Sequence, residues 1–266
     1  MTETSSTPSG TTKFVQFPST KVFGNLQTTN NKEIYFIRHG QTDWNILGKA
    51  QGCENDIPLN NNGRNQAKKT GEYLAKHRIL DHPFDLIISS GMSRANETAQ
   101  IIANKLAYDK EIHIIDDFKE KCHGDIGGKT DEEIKLDKKF KKFIERTDLF
   151  ENEIDPIKQR EIYYENNIIF NKLYGTELFS SLKKRIRNAL NELYKRPEQK
   201  IIVVSHGGTI HTMIEILTNI EDYIIGNYKY GANCHITYLK VYEKIKQNKI
   251  KRKIKIIKLM NTLHLK

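Results

Sequence analysis

Three apolar runs in this chain stop at residues that can handle an anion. EIYFIRHGQTDWN, from Glu33 to Asn45, begins with the core-type residues Ile34 to Ile37 and ends at once in Arg38, His39 and Gly40. IIVVSHGG repeats the arrangement, with His206 ahead of Gly207 and Gly208. LIISSGMSRA carries Arg94 just past a third run. Two guanidinium groups and two imidazoles suit a ligand with several negative oxygens. Forked N–H donors match phosphate geometry, and an imidazole neutral near pH 7 is a nucleophile. Asn45, seven residues after Arg38, and PLNNNGRNQA, from Pro58 to Ala67, belong to the same ordered set.

Such residues need a frame. Apolar runs of strand length alternate with helical patterns, the signature of an α/β layered domain. Strands are predicted at Glu33 to Arg38, Phe84 to Ser89, Ile112 to Ile115 and Lys200 to Ser205. Ala95, Ala99, Ile102 and Leu106 step by three or four and share one helical face, as do Leu178, Leu182, Ile186, Ala189 and Leu193. A further helix is predicted after Gly207 and Gly208, with Ile210, Ile214 and Leu217 toward the sheet. In open α/β sheets ligands collect at the carboxyl ends of strands, and helix N-termini there offer unpaired N–H groups to an anion. Cys234 to Val241 and Lys253 to Met260 read as two strands joined by the basic turn EKIKQNKIKR, a half-exposed edge hairpin guarded by lysines. The predicted fold is therefore α/β: a three-layer α/β/α sandwich around a mostly parallel mixed sheet. Thr130 to Tyr174, charged, aromatic and without a clear period, is read as a cap-like insertion over the carboxyl ends of the strands. A single domain is predicted from 31 to 266, with the insertion at 130–175 and a disordered tail at 1–30, whose first residues are rich in Ser, Thr, Pro and Gly.

Composition narrows the setting. Lys and Arg number 43 against 33 Asp and Glu, a net charge of +10, which favours anionic partners without choosing among them. The lysines are scattered, and no aromatic side chains interleave those between Lys244 and Lys258, so nucleic acid is not an expected partner. Cys53, Cys122 and Cys234 are odd in number and lack CxxC spacing, so neither a disulfide framework nor a zinc site is predicted and a reducing compartment is expected. The chain has no signal peptide pattern and no apolar run of the ~20 residues that span a bilayer. A cytoplasmic location without membrane insertion is expected.

Taken together, the motifs resemble those of the histidine phosphatase superfamily, also called the phosphoglycerate mutase-like fold, over Glu33 to Leu265. Arg38, His39 and Gly40 match its hallmark, followed by Thr42, Trp44 and Asn45. AQGCENDIPLNNNGRNQA is similar to a second motif at Gln51, Gly52, Asp56, Pro58, Leu59, Gly63, Gln66 and Ala67. Ser90, Arg94, Ala95, Thr98 and Ala99 match the second-arginine motif, and Ser205, His206 and Gly207 the second histidine. NCHIT and NTLHL resemble the closing hairpin.

The resemblance implies a two-step mechanism. His39 attacks phosphorus and carries the phosphoryl group, and water then releases it. Arg38, Arg94, Asn45 and His206 hold the equatorial oxygens, with Gln51, Gly52 and Gly207 as further substrate contacts. No metal is implied, and the chain lacks HExxH spacing or carboxylate clusters. One branch of the superfamily takes its acid from an Asp directly after the second histidine, but here Gly207 and Gly208 follow His206. The other branch uses a Glu in a segment that DFKEKCHGDIGG resembles at Glu120, Gly124 and Gly128, so the resemblance assigns the acid to Glu120, with Asp125 as the neighbouring carboxylate. Phe118, Ile126 and Gly127 depart from that segment's pattern.

A phosphatase and a mutase share the nucleophile. The mutase branch is expected to carry more cations near the acid, whereas this chain has Lys121, Cys122 and His123 there, Asp131 where a Lys would fall, and only isolated Arg146 and Arg160 in the insertion. The leading expectation is a phosphomonoester phosphatase acting on a phosphorylated small molecule or phosphoprotein without a cofactor. A phosphoglycerate mutase, primed by 2,3-bisphosphoglycerate, is the alternative, and a scaffold on the same fold is a third reading from another class.

Overall fold

Alternation within each apolar run decides where the two cores form. On the first strand Ile34 and Phe36 point to one face of the sheet and Tyr35 and Ile37 to the other, and all four are buried. Ile201 and Val203 join the first face, Ile202 and Val204 the second. A strand with both faces covered needs no polar side. Each fully buried side chain of this kind contributes about 1.5–3 kcal/mol.

The structure, a computed structural model, describes residues 30–53, 57–76, 83–141, 143, 150, 152, 153, 155–219, 231–246 and 249–266. Asp56, Arg146 and the predicted tail lie outside them, except Asn30, which opens the first strand. Six strands, β1 (Asn30–Arg38), β2 (Leu86–Ser89), β3 (His113–Ile114), β4 (Lys200–Ser205), β5 (Ile236–Lys246) and β6 (Lys249–Asn261), form one mixed sheet in the order β3-β2-β4-β1-β5-β6. β3, β2, β4 and β1 run parallel, and β5 and β6 are antiparallel additions beside β1.

The α-helices whose bounds lie among the described residues are α1 (Asp43–Ile46), α2 (Asn61–Lys76), α3 (Ser93–Lys105), α4 (Asp131–Leu136), α5 (Lys138–Lys141), α6 (Pro156–Tyr174), α7 (Phe179–Lys195) and α8 (Gly207–Thr218). α7 and α8 cover one face through Leu182, Ile186, Leu193, Ile210 and Ile214, and α2 and α3 cover the other through Leu74, Ala95, Ala99 and Ile102. The α/β/α layering read from the sequence is thus the fold observed.

Three readings need correction. The stretch EKIKQNKIKR is not chiefly a turn, since β5 continues to Lys246 and β6 begins at Lys249. Its charge hid an alternation that reaches Arg252, whose guanidinium faces inward to pair with Glu243 at 2.6 Å and to sit over Tyr194 at 4.5 Å. β3 holds only His113 and Ile114, both exposed, because it is an edge strand pairing with two residues of β2. Cys53 and Cys122, expected to be independent thiols, are joined in a disulfide with Cα atoms 4.6 Å apart. Their 69-residue separation carries no spacing signal, and only the convergence of two loops at the carboxyl ends of the strands brings them together.

The stretch from Thr130 to Tyr174, aperiodic in sequence, contains the helices α4, α5 and α6. Its aromatic residues pack on one another, with Phe143 and Phe170 edge to face at 4.6 Å, and form a small third core with Ile126, Ile134, Phe140 and Tyr174.

Candidate active site

β1 and β4 are parallel neighbours in a register that pairs Arg38 with Ser205, so the residues that follow, His39 and His206, emerge side by side. Their ring centroids are 5.2 Å apart. The His39 backbone N–H donates to the Ser205 carbonyl at 2.9 Å, extending the ladder to the edge of the site. Gly40 then meets α2 so closely that a Cβ there would lie 2.5 Å from the Gly63 carbonyl oxygen, which explains the glycine after the histidine.

His39 Nδ1 lies 2.7 Å from the Gly40 carbonyl oxygen. A carbonyl only accepts, so Nδ1 carries the proton and the lone pair sits on Nε2. Burial, then the Arg94 and Arg38 charges, hold the His39 ring well below its ordinary pKa of 6.5. His206 is depressed in the same way, by burial first and then by Arg94, His39 and Arg38. The His206 Nε2 is 2.7 Å from Ser90 Oγ, while its buried Nδ1 has no protein partner.

Burial also holds His211 and His264 at about 4 and His235 at about 3. These groups are neutral in the fold, yet the unfolded chain takes up their protons near 6.5, so falling pH favours unfolding. Stability is therefore expected to be full above pH 6.5 and to decline below it, each such proton contributing up to about 1.4 kcal/mol per pH unit. Urea titrations on either side of pH 6.5 measure this, and a flat profile through the acid range contradicts neutral burial.

Arg94, the second residue of α3, is fully buried, and its Nη2 donates to the Gly52 carbonyl at 2.9 Å and the Gln51 carbonyl at 3.4 Å. Gly52, predicted as a substrate contact, thus directs its carbonyl to this arginine. Arg38 donates to the Gly231 carbonyl. Thr98 Oγ accepts from the Gly40 N–H at 3.0 Å and donates to the Arg94 carbonyl at 2.7 Å, linking the His39 turn to the arginine helix.

Asn45, the third residue of the short helix α1, forms a capping box with the N-cap Thr42. Its Oδ1 accepts from Thr42 N–H and from Asn233 Nδ2, both at 3.1 Å, which leaves the Nδ2 amide as the end suited to an anion. Gln51 Oε1 accepts from Thr42 Oγ at 2.8 Å, with the same consequence. Asn233, absent from the predicted set, also donates to the His39 carbonyl at 3.1 Å. Its signal lay in NCHIT, read only as part of a hairpin.

Glu120 approaches from the loop after β3. Its carboxylate accepts from Gly208 N–H at 3.0 Å and Thr209 N–H at 3.1 Å at the start of α8, and from Lys121 N–H at 2.9 Å. A Cβ on Gly208 would sit 2.7 Å from Glu120 Oε1, so the glycine pair after His206 makes room for this carboxylate. Asp125 instead lies outward, 69% exposed and paired with Lys139. Arg185 holds the Glu120 loop from behind, donating to the carbonyls of Glu120 at 3.1 Å and Lys119 at 2.6 Å while paired with Glu177 at 2.7 Å. On α7 it reads as one more polar residue of a helix, and nothing in the sequence singles it out.

One cavity of about 410 Å³ is lined by Arg38, His39, Asn45, Gln51, Glu120 and Gly207. His206 and Arg94 lie buried beside it. The same cavity reaches Lys49, Lys121, His123 and Asp131, and the aromatic side chains of Trp44, Tyr163 and Phe179. His211, buried and one turn into α8, also lines it and was not predicted. Among the described residues no group of three or more His, Cys, Asp or Glu is placed to hold a metal ion, and no helix is long and apolar enough to cross a membrane.

The chain is 33% identical over 184 residues to an uncharacterized phosphatase, PhoE, of Bacillus subtilis, covering 68% of this chain and 75% of that protein. It is 31% identical over 186 residues to a metal-independent phosphoserine phosphatase of Arabidopsis thaliana, covering 68% and 66%. A phosphoserine phosphatase mutant from Entamoeba histolytica, solved in complex with phosphoserine, superimposes with a TM-score of 0.62 at 29% identity, covering 88% of this chain and 99% of that one. Relatives named as a phosphoglycerate mutase-like protein and as a 2,3-bisphosphoglycerate-dependent phosphoglycerate mutase match as well. The family model of the histidine phosphatase superfamily, branch 1, matches residues 34–251, and the chain belongs to that family.

Proposed function

We propose that the protein is a metal-independent phosphatase of small phosphomonoesters working through a phosphohistidine at His39. The observation that carries this reading is the His39 ring itself: Nδ1 tied to the Gly40 carbonyl, Nε2 bearing the lone pair, and the ring neutral because it is buried beside two guanidinium groups. Arg38, Arg94 and His206 Nδ1 stabilise the equatorial oxygens, and the amide ends of Asn45 and Gln51 and the Gly207 N–H add donors. Nε2 forms a bond to phosphorus as the P–O bond to the alkoxide breaks. Glu120 gives the departing alkoxide its proton. A water then attacks the phosphohistidine, Glu120 takes its proton, the P–N bond breaks and phosphate leaves.

Residues 31–266 act as one domain in this reading, with 130–175 as a cap that brings Asp131 and Tyr163 to the cavity. A cavity of this size fits a small phosphorylated metabolite. Lys121 and Asp131 on its wall suit a substrate with carboxylate and ammonium groups, in keeping with the phosphoserine bound by the related Entamoeba enzyme. The setting is cytoplasmic, as composition implies.

Mutase action is the second reading, and Lys49 and Lys121 favour it because cations grip the carboxylate of a phosphoglycerate during reorientation. Against it, Asp131 shares that wall. With 3-phosphoglycerate and 2,3-bisphosphoglycerate primer, we expect inorganic phosphate to appear faster than 2-phosphoglycerate, and EDTA to leave the rate unchanged. An enolase-coupled assay run beside phosphate release gives both rates. Interconversion outrunning phosphate release by about tenfold, or roughly 1.4 kcal/mol between the barriers, overturns the phosphatase reading.

A further inference from the structure

Each half of the Cys53–Cys122 disulfide adjoins the reacting cavity. Cys53 follows Gln51 and Gly52, whose carbonyls receive Arg94. Cys122 follows Glu120 and Lys121, which line the cavity. The 48–53 and 119–129 segments already meet once through their backbones, where Ala50 N–H donates to the Lys129 carbonyl and Gly128 N–H to the Ala50 carbonyl, both at 2.9 Å. The disulfide ties them a second time. Gln51 and His123 therefore lie on one closed ring beside the cavity, and Lys121 and Glu120 directly precede its Cys122 corner.

The two ends of the bridge also differ in what holds them. Cys122 is anchored to the core side, its N–H donating to Glu177 Oε2 at 3.2 Å and its carbonyl accepting from Glu177 N–H at 2.8 Å, with Glu177 locked to Arg185. Cys53 thereby gains, through the sulfur bridge, a covalent link to that anchored frame. Both residues are half-buried, so small oxidants and thiols reach them. Cys234 is fully buried with its thiol pushed up to about 12, the condition of an inert cysteine.

We propose that Cys53 and Cys122 are a reversible thiol–disulfide modification site that tunes the cavity, with the disulfide form the fully assembled one. The proposal rests on the phosphatase reading above. In a reducing compartment the pair stands as two thiols and is closed by oxidation. One thiolate attacks an oxygen of hydrogen peroxide, the O–O bond breaks, and a sulfenic acid and hydroxide result. The second sulfur attacks the sulfenic sulfur, the S–S bond forms and the S–O bond breaks. The two cysteines lose the two electrons that peroxide gains, and two waters are the net product. A dithiol reductant reopens the bond through a mixed disulfide and is itself oxidised to a disulfide. Opening it removes the covalent one of the two ties between the segment that holds Arg94 and the loop that carries Glu120, leaving the Ala50 hydrogen bonds, and small displacements of positioned groups are costly to catalysis.

The full-length protein, reduced with dithiothreitol and then treated with hydrogen peroxide, tests this without any substitution. Tryptic mapping under non-reducing conditions is expected to join peptides 50–64 and 122–129 into one species two hydrogens lighter than their sum. On an alkyl phosphomonoester, kcat/KM of the oxidised form should exceed that of the reduced form by about fivefold or more, and dithiothreitol should reverse the gain. With p-nitrophenyl phosphate, which needs little help from an acid, the ratio should be smaller. Cys53→Ser and Cys122→Ser are each expected to stay at the reduced value under both treatments. Peptides that remain separate after peroxide overturn the proposal, as does a joined peptide with unchanged kinetics. Because mapping reads the bond without activity, a failed phosphatase reading and a failed disulfide are separate results.

Discussion

His39→Ala is expected to lower turnover of any phosphomonoester by a factor on the order of 10⁴ or more and to abolish covalent labelling. The magnitude follows from the site's economy of nucleophiles. His206 lies next to His39, but its Nε2 is engaged by Ser90, and in this reading its Nδ1 is the N–H that holds a phosphoryl oxygen, so it is not poised to replace the lost lone pair. What survives is electrostatic stabilisation of direct water attack by Arg38 and Arg94. The measurement is rapid quench with a labelled phosphomonoester, followed by acid and alkali treatment of the trapped protein. Phosphohistidine is lost in acid and kept in alkali. Label that resists acid, or that persists in His39→Ala, assigns the chemistry to another residue. Because His39 is 3% exposed, circular dichroism of the variant should accompany the assay, and an unchanged fold with lost turnover is the expected pairing.

Glu120→Gln is expected to slow an alkyl phosphate by about 10²- to 10⁴-fold and p-nitrophenyl phosphate far less. An alkoxide needs a proton as it leaves, whereas a nitrophenolate departs without one. The substitution keeps the volume of the side chain but changes what it can accept. Glu120 takes N–H donors from Gly208 and Thr209 on its two oxygens, and an amide turns one of those acceptors into a donor facing a donor. Some displacement of the loop is therefore built into the experiment, and displacement alone slows both substrates alike. The difference between the substrates isolates proton transfer. Equal losses on both would make Glu120 a positioning residue.

Much of this site was legible in the sequence because its residues sit at fixed offsets from strand ends. Once Ile34 to Ile37 and Ile201 to Val204 are strands buried on both faces, parallel pairing in register carries His39 and His206 to adjacent positions at the same edge. Arg94 follows from the next strand and the first turn of the helix after it. Gly40 and Gly208 were read only as parts of their motifs, and that Gly40 abuts α2 and Gly208 abuts Glu120 is decided by contacts of the folded chain. The alternation of strand and helix patterns also set the layer order, and it failed where charge masked it, as at Arg252 in the hairpin, and in the aperiodic stretch that holds α4, α5 and α6.

The tertiary structure decided everything that depends on loops meeting across large sequence distances. Asn233 reaches the His39 carbonyl from 194 residues away, and Arg185 supports the Glu120 loop from 65. No periodicity marks either residue, because each is selected by one backbone carbonyl and not by a repeating face. The His39 tautomer, its depressed pKa and the occupied oxygens of Asn45 and Gln51 likewise arise from contacts made only in the folded chain. Cys53 and Cys122 are the sharpest case: read as two solitary thiols, they meet because two loops at the carboxyl ends of one sheet converge. A strand or helix fixes its neighbours at short range through its own repeat. Loop-to-loop contacts have no repeat to betray them, and they become determinate only when the sheet order fixes which loops share an edge.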